Sequence, residues 1–140
     1  MLTPSPGLVV AHLYLWARER QAGAVEGRKV RPALIVDVQQ RSGGAAFVTA
    51  CPITHSEIQS PGDGVELPQP VKHHLGLDEE RSWMIATEVN RFTWPGYDLR
   101  RTADGREAYG NIPKPLLHAV LRLMLEHARE GNLDRIDRDD

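Results

Sequence analysis

The sequence predicts a mainly β domain with one long helix near its C-terminal end, an α+β fold. Two stretches, at about residues 31–40 and 45–54, alternate along their length with the period of two that is typical of β-strands. A glycine-containing turn at residues 41–44 separates them, so we expect a hairpin. Further along the chain, apolar residues recur at the spacing of an amphipathic helix: Leu116, Leu117, Val120, Leu121 and Met124.

The length of the chain fits one domain. At 140 residues and 41% hydrophobic content, it has enough apolar material for a single packed core. We expect one domain over residues 1–140, with an ordered core at about residues 7–131. Residues 132–140 are rich in Asp and Arg and are expected to fray as an acidic tail.

The remaining elements are predicted from local composition. The expected order is a first strand at residues 8–16, a long mobile loop at 17–30, a short strand at 65–67, a helical turn within 73–80 and a strand at 82–92. We expect Asn111 to cap the C-terminal helix, with Pro113 in its first turn and its end near Gly131.

Composition excludes several classes of protein. The net charge of -2 argues against a broadly basic nucleic-acid binder. No apolar run approaches the ~18 residues of a membrane span, and the first residues lack the order of a signal peptide, so we expect a cytoplasmic protein. The single cysteine, Cys51, rules out an internal disulfide and argues against a cysteine-based zinc site.

Polar residues stand at the tips of the two central strands. Arg31 begins one strand, on the face opposite the more apolar one, and Thr54, His55 and Ser56 end the other. We expect the cation and the hydroxyl to converge at one edge of the sheet. Glu88 and Asn90 lie on a mostly apolar strand, so the presence of two polar side chains there needs an explanation.

These residue types fit metal-free chemistry on a phosphodiester. The chain contains no Gly-rich phosphate loop, HExxH, GxSxG or paired CxxC motif. Arginine, carboxylate, histidine and hydroxyl groups suit RNA cleavage by its own 2′-hydroxyl, which needs one group to remove a proton, one to donate a proton and cations to stabilise phosphoryl charge. Arginine can clamp two phosphate oxygens in a fork, which lysine cannot.

The chain resembles the MazF/PemK family of toxin endoribonucleases over roughly residues 7–130. The resemblance rests on Gly7-Leu8-Val9-Val10, on Glu26 followed by Arg31-Pro32-Ala33-Leu34-Ile35-Val36, on Cys51-Pro52-Ile53-Thr54-His55-Ser56, on Glu88-Val89-Asn90 and on the proline-initiated helix. It implies a small SH3-like, PemK-like β-barrel and a homodimer. It also implies cofactor-free and metal-free cleavage of single-stranded RNA at short sequences, and inhibition by a cognate antitoxin.

The resemblance also implies roles for individual residues. Arg31 matches the catalytic arginine, Thr54 the active-site threonine and Glu26 a loop acid of the catalytic site. The residues expected to bind substrate are Arg28, Lys29, His55, Ser56, Glu88 and Asn90. Two positions depart from the family pattern, because Leu8 replaces a common acid and Glu88 replaces an aspartate. Loops 17–30 and 55–64 are expected to form the walls of an RNA groove.

Other interpretations stay open for the same residues. Arg31 could pair with Glu26 at the surface, Thr54 could begin a turn, and Glu88 and Asn90 could hold loop backbone. Either Glu26 or His55 could move the proton. A metal site built from Cys51, His55, His73 and His74 is a minor alternative. The alternative function is a non-catalytic SH3-like barrel module that binds nucleic acid or a partner peptide.

Overall fold

A computed structural model describes residues 2–24 and 29–138 of the chain. The described residues form nine strands and three α-helices. In chain order these are β1 Leu8–Leu13, α1 Ala17–Gln21, β2 Val30–Gln40, β3 Ala46–Thr54, β4 Gly64–Glu66, α2 Gln69–Leu75, β5 Trp83–Ile85, β6 Glu88–Trp94, β7 Leu99–Arg100, β8 Gly110–Asn111, α3 Lys114–Arg129 and β9 Asp134–Asp137.

The described strands form one open sheet that is largely antiparallel. Strand β2, the longest at 11 residues, lies between β1 and β3 and pairs with both. The end of β3 pairs with β5, which pairs with β4, whereas the beginning of β3 pairs with β6. Strands β7 and β8 pair with β1, and β9 runs parallel to β6. The predicted mainly β, α+β class is therefore confirmed.

Both faces of this sheet are buried. On one face, α2 and α3 pack onto the strands through a cluster that includes Leu34, Val36, Cys51, Ile53, Leu75, Leu117, Val120 and Met124. The other cluster takes its buried members from β1, β2, β3 and β6 alone: Leu8, Val10, Ala33, Ile35, Ala46, Val48, Ala50, Phe92 and Trp94. Residues outside the strands, among them Leu2 and Ala108, pack against this second cluster at its margin.

The predicted hairpin and C-terminal helix are confirmed. Strands β2 and β3 pair over most of their length, with a register shift between Ile35 and Asp37. Helix α3 has 16 residues, but Pro113 and not Asn111 precedes it, because Asn111 is paired in β8. None of the helices in residues 2–24 and 29–138 has the length and apolar character needed to cross a bilayer.

Four local predictions are wrong. The first strand ends at Leu13, and part of the predicted loop at 17–30 forms α1. The predicted strand at 82–92 is two strands, because Ala86 leaves the ladder and its backbone N–H donates to the Asp63 carbonyl at 2.7 Å. The tail does not simply fray, since residues 134–137 form β9.

Candidate functional site

A cavity lies where β2 begins and β3 ends. The antiparallel pairing of Ala33 with Pro52 brings residue 31 level with residue 54, so two of the three predicted catalytic residues, Arg31 and Thr54, come together at the end of this strand pair. The cavity has a volume of about 240 Å³. Its walls include Lys29, Arg31, Thr54, His55, Asp78 and Ser82, and we call it the Arg31 cavity.

Arg31 lies at the beginning of β2 and is partly exposed. Its neighbours on the same face, Ala33 and Ile35, are fully buried, so Arg31 escapes the core because it stands at the strand end and not because its face is exposed. Within residues 2–24 and 29–138, no carboxylate forms an ion pair with Arg31. A guanidinium in this setting is available to an anionic ligand.

A tryptophan lies between Arg31 and a second arginine. The guanidinium carbon of Arg31 is 5.5 Å from the centroid of the Trp16 ring, and that of Arg18 is 4.5 Å from it. Both distances fall within the range of cation–π attraction. The Trp16 ring thus contacts the guanidinium groups of Arg31 and Arg18 near the cavity, and both groups keep their positive charge.

Thr54 ends β3 and is 8% exposed. Its Oγ1 accepts a hydrogen bond from the Ser56 backbone N–H at 3.1 Å, so Thr54 does begin a turn. A hydroxyl that accepts in this way can still donate its own proton. Thr54 also borders a second cavity of about 170 Å³, which Trp16 and Ser56 help to line and which we call the Trp16 cavity.

His55 is held between two carboxylates. Its Nε2 lies 2.9 Å from Oδ2 of Asp78, and its Nδ1 lies 3.0 Å from Oε2 of Glu80. Glu80 is the more exposed carboxylate, at 71%, and has the greater freedom to leave the ring. A histidine oriented by a carboxylate on one nitrogen is a suitable group for proton transfer at the other.

Lys72 fixes the wall that carries Asp78. Its side chain is 1% exposed, and its Nζ donates to Asp78 Oδ1 at 3.0 Å and to the Glu80 carbonyl oxygen. Burial raises the pKa of the Asp78 carboxyl, but hydrogen bonds from Lys72 and His55 outweigh this effect and hold the pKa below its ordinary value. Asp78 therefore stays charged beside His55.

The trio His55, Asp78 and Glu80 is the group that could hold a metal ion in the described part of the chain. The three ligand atoms lie within 4.8 Å of one another. However, Lys72 already balances the Asp78 charge, and each ring nitrogen of His55 already has a carboxylate partner. Burial raises the pKa of the Cys51 thiol to about 12, so this residue is not available as a thiolate ligand.

Glu88 and Asn90 hold backbone at a distance from the Arg31 cavity. Oε1 of Glu88 accepts from the Ala17 backbone N–H at 2.9 Å and from the Tyr14 hydroxyl at 3.1 Å. Asn90 is fully buried, and its amide exchanges hydrogen bonds with the backbone of Leu15 at 2.9 and 2.8 Å. Asn90 therefore holds the Leu15 backbone and Glu88 is the acceptor that positions α1, and substrate binding by either residue stays a prediction.

The other predicted site residues fall into two groups. Lys29 is exposed and lines the Arg31 cavity, and Ser56 lines the Trp16 cavity. Glu26 and Arg28 lie outside the described residues. Sequence reasoning missed Asp78, Lys72 and Trp16 as site residues, because none of them belongs to a motif and each is brought there by tertiary packing.

Neither a scan against protein-family models nor a search of curated proteins found a match for this chain. Functional assignment therefore depends on the cavity and on the residues that line it.

Proposed function

We propose that this protein is the toxin of a type II toxin–antitoxin system, a metal-independent endoribonuclease that cleaves single-stranded mRNA. The observation that carries the proposal is the meeting of Arg31 and Thr54 in one cavity, with Lys29 and His55 in the same walls. Two cations, a hydroxyl and a carboxylate-oriented histidine are the groups that phosphodiester cleavage by a 2′-hydroxyl requires.

In the proposed mechanism, the 2′-oxygen of the substrate attacks the adjacent phosphorus while the bond from phosphorus to the 5′-oxygen breaks. Arg31 stabilises the charge on the non-bridging oxygens in the pentavalent transition state, and Thr54 donates a hydrogen bond to one of them. The 2′-hydroxyl gives its proton to His55 or Glu26, and the leaving 5′-oxygen takes a proton from solvent water. The products are a 2′,3′-cyclic phosphate and a 5′-hydroxyl.

Of the two candidate bases, His55 is the one that lies among the described residues. Asp78 orients the ring through Nε2, and movement of Glu80 would free Nδ1 for proton transfer. This arrangement needs no metal ion, since the guanidinium of Arg31 supplies the charge stabilisation that a cation would give.

The remaining features of the proposal follow from the family resemblance. A largely antiparallel sheet with α3 packed on one face is compatible with an SH3-like barrel or half-barrel. The proposal further includes a homodimer, action in the cytoplasm and inhibition by a cognate antitoxin protein.

The proposal is tested by incubating the purified protein with a long RNA in EDTA and mapping the new ends. We expect cuts at a short recurring sequence, each leaving a cyclic phosphate and a 5′-hydroxyl. Activity that disappears in EDTA and returns with magnesium would contradict the mechanism. RNA binding without new ends would favour the alternative, a non-catalytic module that uses the same cavity.

A further inference from the structure

The Trp16 cavity meets the Arg31 cavity at Thr54, which lines both. The loop between β3 and β4 forms one wall of the Trp16 cavity through Ser56, Glu57, Ile58 and Asp63. This wall sits close to β5, because a Cβ at Gly64 would lie 2.5 Å from the Met84 carbonyl oxygen. Only glycine fits at this position, and the close approach fixes the neighbouring Asp63 in the cavity wall.

One polar group of this cavity, the Asp63 carboxylate, has unused hydrogen-bonding capacity within reach of a ligand. The indole Nε1 of Trp16 also has no hydrogen-bond partner among the residues that the structure describes, but this atom is buried, so a ligand in the cavity does not reach it. Asp63 is half-buried, and its carboxylate has no hydrogen-bond or ion-pair partner within the same residues. A partly enclosed carboxylate without a partner favours a ligand that donates hydrogen bonds to it.

The remaining walls suit a planar ring. Ile58 and Ile85 supply apolar surface, and the hydroxyl of Thr87 adds a further polar group. Arg18 and Glu57 also line the cavity, and Glu57 already pairs with Arg81 at 3.4 Å. At about 170 Å³ the cavity is smaller than the ~300–1,000 Å³ pockets that hold drug-sized ligands, so it has room for a single base.

We propose that the Trp16 cavity binds the nucleobase next to the scissile phosphate, and that Asp63 selects guanine there. A phosphate beside Thr54 and Arg31 places an adjacent base within reach of this second cavity. The inference rests on the proposed function for the position of that phosphate.

The chemistry of the cavity gives the selectivity. A carboxylate accepts hydrogen bonds and cannot donate them. Guanine presents N1–H and its 2-amino group as two parallel donors, whereas uracil presents a single N–H between two carbonyl oxygens that the carboxylate repels. Adenine and cytosine have an amino group beside an acceptor nitrogen and should rank between them.

The test measures binding separately from cleavage. Four oligomers of five nucleotides are used, all with 2′-fluoro sugars, which cannot attack the phosphate. Each has uracil at the four outer positions, and the central base is guanine, adenine, cytosine or uracil. Fluorescence anisotropy compares the wild type with Asp63→Ala and Asp63→Asn. Glu126→Gln is the matched control, since Glu126 is exposed on α3 and loses the same charge.

We expect the wild type and Glu126→Gln to bind the guanine oligomer about tenfold more tightly than the all-uracil oligomer. Asp63→Ala should lose most of this ratio, and Asp63→Asn should lower it because its amide can also donate to uracil. Equal binding of all four oligomers by the wild type, or a guanine preference that survives in Asp63→Ala, would overturn the inference. A preference that depends on Asp63 in a protein that cuts no RNA would support the base site and count against the ribonuclease.

Discussion

Thr54 combines a structural and a chemical role in one hydroxyl. Its oxygen accepts the Ser56 N–H at 3.1 Å, and its proton is free for a phosphoryl oxygen in the Arg31 cavity. Two substitutions of Thr54 test these roles. Serine keeps the hydroxyl, whereas valine keeps only the shape of the side chain.

Thr54→Val should lower the rate of RNA cleavage by about 10- to 100-fold, the range expected when a hydrogen bond to a charged group is lost. It should also lower the free energy of unfolding by about 1 kcal/mol, because the Ser56 N–H loses its acceptor. Thr54→Ser should retain most of the activity. Cleavage rates and urea unfolding of both variants check this, and full activity in the valine variant would rule out the proposed contact.

Glu88 illustrates how a polar residue on an apolar strand can be structural. Burial raises the pKa of its carboxyl, and the negative charge of Asp134 adds to the increase, although hydrogen bonds from Ala17 and Tyr14 oppose it. The folded protein therefore keeps a proton on Glu88 to a higher pH than the unfolded chain, whose glutamate pKa is about 4.3.

The raised pKa of Glu88 determines the direction in which the free energy of unfolding changes with pH. As pH rises from the unfolded pKa through the raised folded pKa, Glu88 lowers the free energy of unfolding, because the folded state binds more protons in that window. Glutamine does not titrate and can still accept from Ala17 and Tyr14. We expect the stability of Glu88→Gln relative to wild type to increase with pH across this window. A flat or falling difference in urea titrations would contradict the assignment, with Glu126→Gln as the control.

At the scale of elements, β9 is the least expected part of the fold. Ile136 is 6% exposed and packs with Leu15 and Ala17, so the C-terminal strand covers the start of α1. Beyond it, Arg138 pairs with Asp98 at 3.2 Å and donates to the Leu13 carbonyl oxygen at 2.8 Å. The tail therefore supports the segment that carries Trp16.

Ile136→Ala should lower the free energy of unfolding by about 2–4 kcal/mol, as expected for truncation of a buried isoleucine. Leu125→Ala is the matched control, because Leu125 is 57% exposed on α3 and its loss should change stability little. Chemical denaturation of both variants measures these changes in the free energy of unfolding. Equal, small effects would mean that β9 contributes nothing to the fold and that the predicted frayed tail was right.

The elements differ in how far the sequence could predict them. The β2–β3 hairpin and α3 were predictable because each carries its own periodic pattern over nine or more residues. Strand β9 has four residues and one buried apolar side chain, and α1 has five residues, so neither shows a period of its own. Both depend on partners far along the chain, such as Glu88 for α1.

For the whole molecule, the sequence predicted where the candidate site lies but not how it is enclosed. The antiparallel hairpin placed Arg31 beside Thr54, which follows from strand pairing alone. The walls come from packing between distant segments: Lys72 holds Asp78 against His55, and Trp16 reaches the same edge from the end of β1. Such contacts have no local sequence signal.

The most direct test of the account is the rate at which Arg31 variants cleave one mapped RNA site in EDTA. Arg122→Ala on the exposed face of α3 is the control for loss of charge. We expect Arg31→Ala to lower the rate by about 100-fold or more, Arg31→Lys to recover part of it, and Arg122→Ala to match the wild type, all with unchanged unfolding. If folded Arg31→Ala cleaved as fast as the wild type, Arg31 would not be catalytic and the proposed site would be wrong.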